Sequence, residues 1–114
     1  MINRLANIEG QHDIEEIKLV YDRILTLPID ATIVEIGTWL GKSAGILSGA
    51  CIETKRRIFT IDNFRTDTFP SGRQPFEITR KNFRECKVTH ITLLVGNSED
   101  IAKRWRRKKV DLIF

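Results

Sequence analysis

The residues of this chain whose types and spacing could do chemistry lie in Val34-Glu35-Ile36-Gly37-Thr38-Trp39-Leu40-Gly41-Lys42-Ser43. This stretch runs from a β-branched apolar segment into one with helical spacing. Gly37 has no Cβ, so backbone there can approach a ligand, and Gly41 permits close helix–strand packing. The amides and dipole of the helix that follows suit an anionic group. Three nucleotide-binding patterns compete for the loop. A phosphate-cradling GxxxxGK[ST] loop agrees at Gly41-Lys42-Ser43, but its first glycine falls on Ile36. A dinucleotide GxGxxG needs more glycines than Gly37-Thr38-Trp39-Leu40-Gly41 contains. What remains is E-x-G-x-x-x-G, from Glu35 to Gly41.

Two further stretches fit that remaining pattern, which occurs in S-adenosylmethionine-binding enzymes. Asp62 closes a second apolar run, where an acid can accept hydrogen bonds from both hydroxyls of a ribose. Its plainer reading is a polar turn residue before Asn63. Gly96-Asn97-Ser98-Glu99 follows a third apolar run, and Ser98 is a helix N-cap, a contact to an adenine, or both. His12 and His90 fall outside these loops and read as surface residues. No general base is identified, and the catalytic residues stay unassigned.

These loops need strands and helices to position them. Asp13 to Leu27 places Ile14, Ile17, Tyr21, Ile24 and Leu25 on one helical stripe, with acids in its first turn, and Pro28 and Asp30 end it. Thr32 to Gly37 is a short apolar run typical of a buried parallel strand. Ser43 to Cys51 reads as a helix and Arg57 to Asp62 as a strand. Residues 63–72 read as a long loop, and Pro75 to Glu85 as a helix with Phe76, Ile78, Phe83 and Cys86 turned inward. Ile91 to Val95, Ser98 to Arg107 and Val110 to Phe114 supply strand, helix and strand. Such alternation implies right-handed crossovers and a mostly parallel sheet. The expected division is a helical segment over 1–30 and a partial Rossmann-like domain over 31–114. The chain stops inside an apolar strand whose edge and faces would lack cover, so a piece of a longer protein is expected.

Composition narrows the class. The chain has 114 residues, 41% apolar and 30% charged, which suits one ordinary globular domain. No apolar run approaches the roughly 20 residues of a membrane helix, and no signal core follows the N-terminus, so neither membrane nor secretion is expected. Cys51 and Cys86 lack metal-ligand spacing and read as reduced thiols of a cytoplasmic protein, with no metal site among these residues. The net charge of +4 concentrates in Lys103, Arg104, Arg106, Arg107, Lys108 and Lys109, broken by Trp105. That cluster could grip phosphates, but the solvated end of a helix is the preferred reading.

Taken in order, the motifs resemble class I S-adenosylmethionine-dependent methyltransferases, specifically methyltransferase family 24. The resemblance runs from Ile8-Glu9-Gly10 through Ile33 to Ser43, Ile61-Asp62-Asn63-Phe64, Asn82-Phe83 and Gly96-Asn97-Ser98-Glu99-Asp100 to Val110-Asp111-Leu112-Ile113-Phe114. Catechol O-methyltransferase is similar over the same region. The resemblance implies a three-layer α/β/α sandwich with parallel strand order 3-2-1-4 and S-adenosylmethionine as cofactor. It implies that Glu35, Gly37, Thr38 and Gly41 shape the cofactor loop and that Trp39 stands beside the cofactor. It also implies that Ser43 binds the methionine carboxylate, that Asp62, with Asn63 next to it, takes the ribose hydroxyls, and that Ser98 and Glu99, with Asn97, border the adenine. Glu99 stands where the relative has a Gln. Any divalent metal and the catalytic contacts would come from family residues that follow the position of Phe114.

The reaction expected of the whole protein is methyl transfer to an oxygen or nitrogen of a small molecule; these 114 residues alone are expected to be inactive and to pair through their last strand as a homodimer. Two other readings stay open: an RNA or protein methyltransferase that uses the 103–109 cluster, and a non-catalytic cofactor-binding or assembly module.

Overall fold

Four short parallel strands carry the molecule, and their pairing follows from where the branched apolar residues fall. The structure is a computed structural model that describes residues 7–8, 13–64, 75–106 and 109–114. Its elements in chain order are α1 (Ile14–Leu25), β1 (Thr32–Ile36), α2 (Lys42–Leu47) with a 3-10 turn over Ser48–Cys51, β2 (Arg57–Asp62), α3 (Pro75–Glu85), β3 (Ile91–Val95), α4 (Ser98–Arg104) and β4 (Leu112–Ile113). The sheet order is β3-β2-β1-β4, all parallel, as expected for a Rossmann-like α/β fold. No described helix is long and apolar enough to cross a membrane.

Register decides what the two faces carry. Leu112, Ile33, Ile58 and Ile91 line up across the sheet. They pack with Ile17 and Ile24 of α1 and with Ile46, Leu47, Ala50 and Cys51 into the main core. One residue further along, Val34 and Phe59 turn to the opposite face. With Ile61 they form a smaller core under Ile101, Trp105 and Val110.

The ends of the helices are set by named contacts. Asp13 caps α1, its carboxylate accepting from the Glu16 amide at 2.8 Å. At the other end, the buried Arg56 guanidinium donates to the carbonyls of Leu25, Leu27, Pro28 and Ala50. It thereby satisfies acceptors that the chain has no further helix amides to meet. The N-cap of α4 is Asn97, whose side chain accepts from the Glu99 amide at 2.8 Å, so the capping expected of Ser98 falls one residue earlier. This helix ends at Arg104 and not at Arg107. Trp105 leaves it in an extended conformation to pack edge-on against Phe59, with ring centroids 5.3 Å apart. Arg106 then donates to the Lys103 and Trp105 carbonyls, as expected of a basic helix end. Arg107 and Lys108 lie outside the described residues. So do His12, Glu9, Gly10 and most of the 63–72 loop.

On α3 the inward pattern differs from expectation. Phe76, Ile78, Phe83 and Cys86 are only half-buried, and the buried positions are Pro75 and Thr79. The helix is rotated so that a polar residue meets the loop after β1.

Candidate functional site

Every second residue of the loop from β1 to α2 is left-handed. Gly37 has φ +95°, Trp39 +48° and Gly41 +88°. Each glycine is needed for a different reason. At Gly41 an added Cβ would come within 2.5 Å of Phe83 Cε1, so the position is closed by α3. At Gly37 an added Cβ would meet nothing within 4 Å. Its backbone faces open space, and only φ demands glycine.

Strand ends are tied to one another around that opening. The Gly37 amide donates to the Ile61 carbonyl at 2.8 Å, and the Gly96 amide to the Asp62 carbonyl at 2.9 Å. The Asp62 carboxylate accepts from the Trp39 amide through Oδ2 and from the Phe64 amide through Oδ1, each at 2.9 Å. A carboxylate offers about four lone-pair positions, so two remain for other donors. The cleft beside it, about 180 Å³, is lined by Ile36, Gly37, Ile61, Asp62, Asn63, Gly96, Asn97 and Ser98. It lies beyond the carboxyl ends of β1, β2 and β3, where ligands bind in open α/β sheets.

Under the loop sits a buried polar network. Glu35, 2% exposed, lies opposite Thr60 in the β1–β2 register. Thr60 donates to Glu35 Oε1 at 2.7 Å, Ser43 donates to Oε2, and Thr38 and Thr60 share a hydrogen bond at 2.6 Å. A buried carboxylate is tolerated only when such donors surround it. These donors pin the end of β1 to the first turn of α2.

The family described as a methyltransferase domain matches residues 34–114, from this network to the end of β4. The chain belongs to that family. No curated protein matches it. Among solved structures it is similar to the O-methyltransferase TomG of Streptomyces achromogenes, involved in tomaymycin synthesis and solved with SAM: 21% identity, TM-score 0.70, 98% of this chain and 51% of that one. It is also similar to an O-methyltransferase of Bacillus cereus in complex with SAH: 19% identity, TM-score 0.67, 98% of this chain and 49% of that one. A third is the SAH-bound Podospora anserina methyltransferase PaMTH1: 21% identity, TM-score 0.59, 97% of this chain and 53% of that one. These likenesses show a shared fold, and the chain spans about half the length of the structures it matches.

Within this methyltransferase domain the expected site residues separate into two groups. Gly37, Asp62, Asn63, Asn97 and Ser98 come together at the cleft. Glu35, Thr38, Gly41 and Ser43 lie buried beneath it and hold the loop's shape. The Ser43 hydroxyl, expected to reach a ligand carboxylate, donates its one proton to Glu35. At 7% exposure it borders a separate apolar cavity of about 340 Å³ with Ile17, Val20, Leu47 and Phe114. Trp39 joins the two groups, with its amide on Asp62. Glu99 is exposed, outside the residues that line the cleft. His90 is half-buried at φ +65° and bonded to Thr89, at the start of β3 and away from the cleft.

Thr60, Thr79 and Asn82 are the residues that sequence reasoning passed over. A polar Thr60 between Phe59 and Ile61 on a buried strand was the available signal, since it must find a partner there. Thr79 gave none, because polar residues on a helix usually face solvent, and Asn82 stood only within the Asn82-Phe83 of the resemblance, with no role attached. Burial also pushes the Cys51 thiol up to about 11, with Arg56 and Arg57 pulling weakly the other way, so it is an unreactive core thiol.

Proposed function

We propose that this domain binds S-adenosylmethionine in the cleft beyond β1 to β3 and serves methyl transfer to an oxygen or nitrogen of a small molecule. The observation that carries this reading is the Asp62 carboxylate. Two backbone amides fix it, and it retains acceptor capacity at a cleft whose other wall is the bare backbone of Gly37. The donor set suits the cofactor: an acid for a pair of ribose hydroxyls, a Cβ-free approach for the methionine part, and Asn97 and Ser98 for the adenine edge. When bound, the cofactor supplies a sulfonium methyl for in-line displacement. The chain's own residues contribute orientation. Glu35, Ser43 and Thr60 keep the loop in place, and Asp62 fixes the ribose end.

Calorimetric titration with S-adenosylmethionine or S-adenosylhomocysteine tests the reading. Binding is expected, weakened by about 1–3 kcal/mol in Asp62→Ala. Equal affinity in folded wild type and variant would place the ligand elsewhere. The same proposal includes a homodimer, and sedimentation of the whole protein showing a micromolar monomer would remove that part. It also includes a cytoplasmic setting, supported by the free thiols Cys51 and Cys86.

A further inference from the structure

Asp62 is held by two amides, and both belong to residues in the left-handed region, Trp39 at φ +48° and Phe64 at φ +53°. Bulky L-residues stay there only where their surroundings hold them. Both are held by the same helix. On α3, Thr79 donates its hydroxyl to the Trp39 carbonyl, and Asn82 donates its side-chain amide to the Leu40 carbonyl at 2.9 Å. Phe83 closes over Gly41. Phe76, one turn before Thr79, packs its ring against Phe64 at 5.3 Å between centroids. Positions 76, 79, 82 and 83 share one helix face, so a single rigid surface sets both amides that aim the carboxylate.

Thr79 is 0% exposed, and its Oγ also lies 2.8 Å from the Pro75 carbonyl of its own helix. That second acceptor would satisfy the hydroxyl without the loop. The bond to Trp39 is therefore not required for Thr79's own burial. It acts on the loop. The Trp39 backbone is gripped on both sides of its Cα, its amide by Asp62 and its carbonyl by Thr79.

We propose that Thr79 is a positioning residue for cofactor binding, acting through the Trp39 backbone on the Asp62 carboxylate, with Phe76 performing the matching task through Phe64. This rests on the reading that Asp62 receives the ribose of S-adenosylmethionine.

The test is a double-mutant cycle read by calorimetry with S-adenosylhomocysteine on the whole chain. Thr79→Val should weaken binding about tenfold, one hydrogen bond's worth, and Thr79→Ser should restore it. In an Asp62→Ala background, Thr79→Val should weaken binding no further, because its route to the ligand is gone. A purely structural role for Thr79 predicts the same loss in both backgrounds, and that result would overturn the proposal. So would unchanged affinity in folded Thr79→Val. If Thr79→Val does not fold, Phe76→Leu carries the same cycle with the same two outcomes. A wild-type chain that does not bind S-adenosylhomocysteine would instead overturn the cofactor reading, and the positioning role with it. A wild type that binds with an additive cycle sinks the positioning role alone.

Discussion

The two faces of the sheet are built to different standards. On one face α1, α2 and α3 cover a core in which Ile24, Ile33, Leu47 and Ile58 are fully buried, and the Glu35 network lies within the same layer. On the other face the described cover is chiefly α4, a helix of 7 residues with none buried. There Ile36 and Ile113 stand 54% and 60% exposed at the rim of a cavity of about 230 Å³ under Trp105 and Val110. The loop between β1 and α2 takes its shape mainly from the first face. The site is thus anchored from one side: the loop's geometry depends on helix packing beneath it, while the opposite face contributes the strand ends and Ser98.

Breaking the first face should therefore have the largest effect. Leu47→Ala is expected to cost about 2–5 kcal/mol, whereas Ile101→Ala over the smaller core should cost clearly less, since its site is half-exposed. Urea unfolding of both variants checks this, and equal costs would erase the contrast between the faces. Next comes the polar layer. Glu35→Ala leaves the Ser43 and Thr60 hydroxyls without their acceptor and should destabilise by about 2–3 kcal/mol.

The two glycines sharpen the comparison further. Gly41→Ala meets both a left-handed φ and the Phe83 ring, so thermal melts should show a loss of about 1–3 kcal/mol. Gly37→Ala meets only the φ penalty, about 1 kcal/mol, yet Gly37 lines the cleft and the substitution should remove most affinity for S-adenosylhomocysteine. Melting and titration curves that ranked the two glycines alike in both assays would contradict this division of roles. The smallest effect is the titration of Cys51. Its thiol is raised in the folded state, so the contribution is complete below the ordinary thiol value near 9.0 and lost as pH climbs through about 11. Stability measured from pH 8 to 11 should fall across that window in wild type, and less in Cys51→Ala.

Much of this was legible in advance. The spans of β2, α3 and β3 agree residue for residue with the periodicity reading, and strand order 3-2-1-4 matches the family resemblance. The ends of the helices were less legible. Asn97 and Ser98 are both good caps, and local chemistry does not choose between them. Trp105 leaves α4 to pack on Phe59 across the layer, a partner far earlier in the chain. Ser43 has the type and place of a ligand contact, and only the fold shows that its hydroxyl proton goes to the buried Glu35.

By itself the sequence determined the alternation of strands and helices, the parallel sheet, and the loop whose glycines permit left-handed turns. These follow from short-range periodicity, steric limits on φ and the handedness of crossovers, all written in contiguous residues. Only the tertiary structure decided which polar groups face the cleft and which support it. The register sets Glu35 against Thr60, and the rotation of α3 sets Thr79 against Trp39. Hydrogen bonds discriminate over fractions of an ångström, and such distances between residues far apart in the chain exist only once the layers have packed.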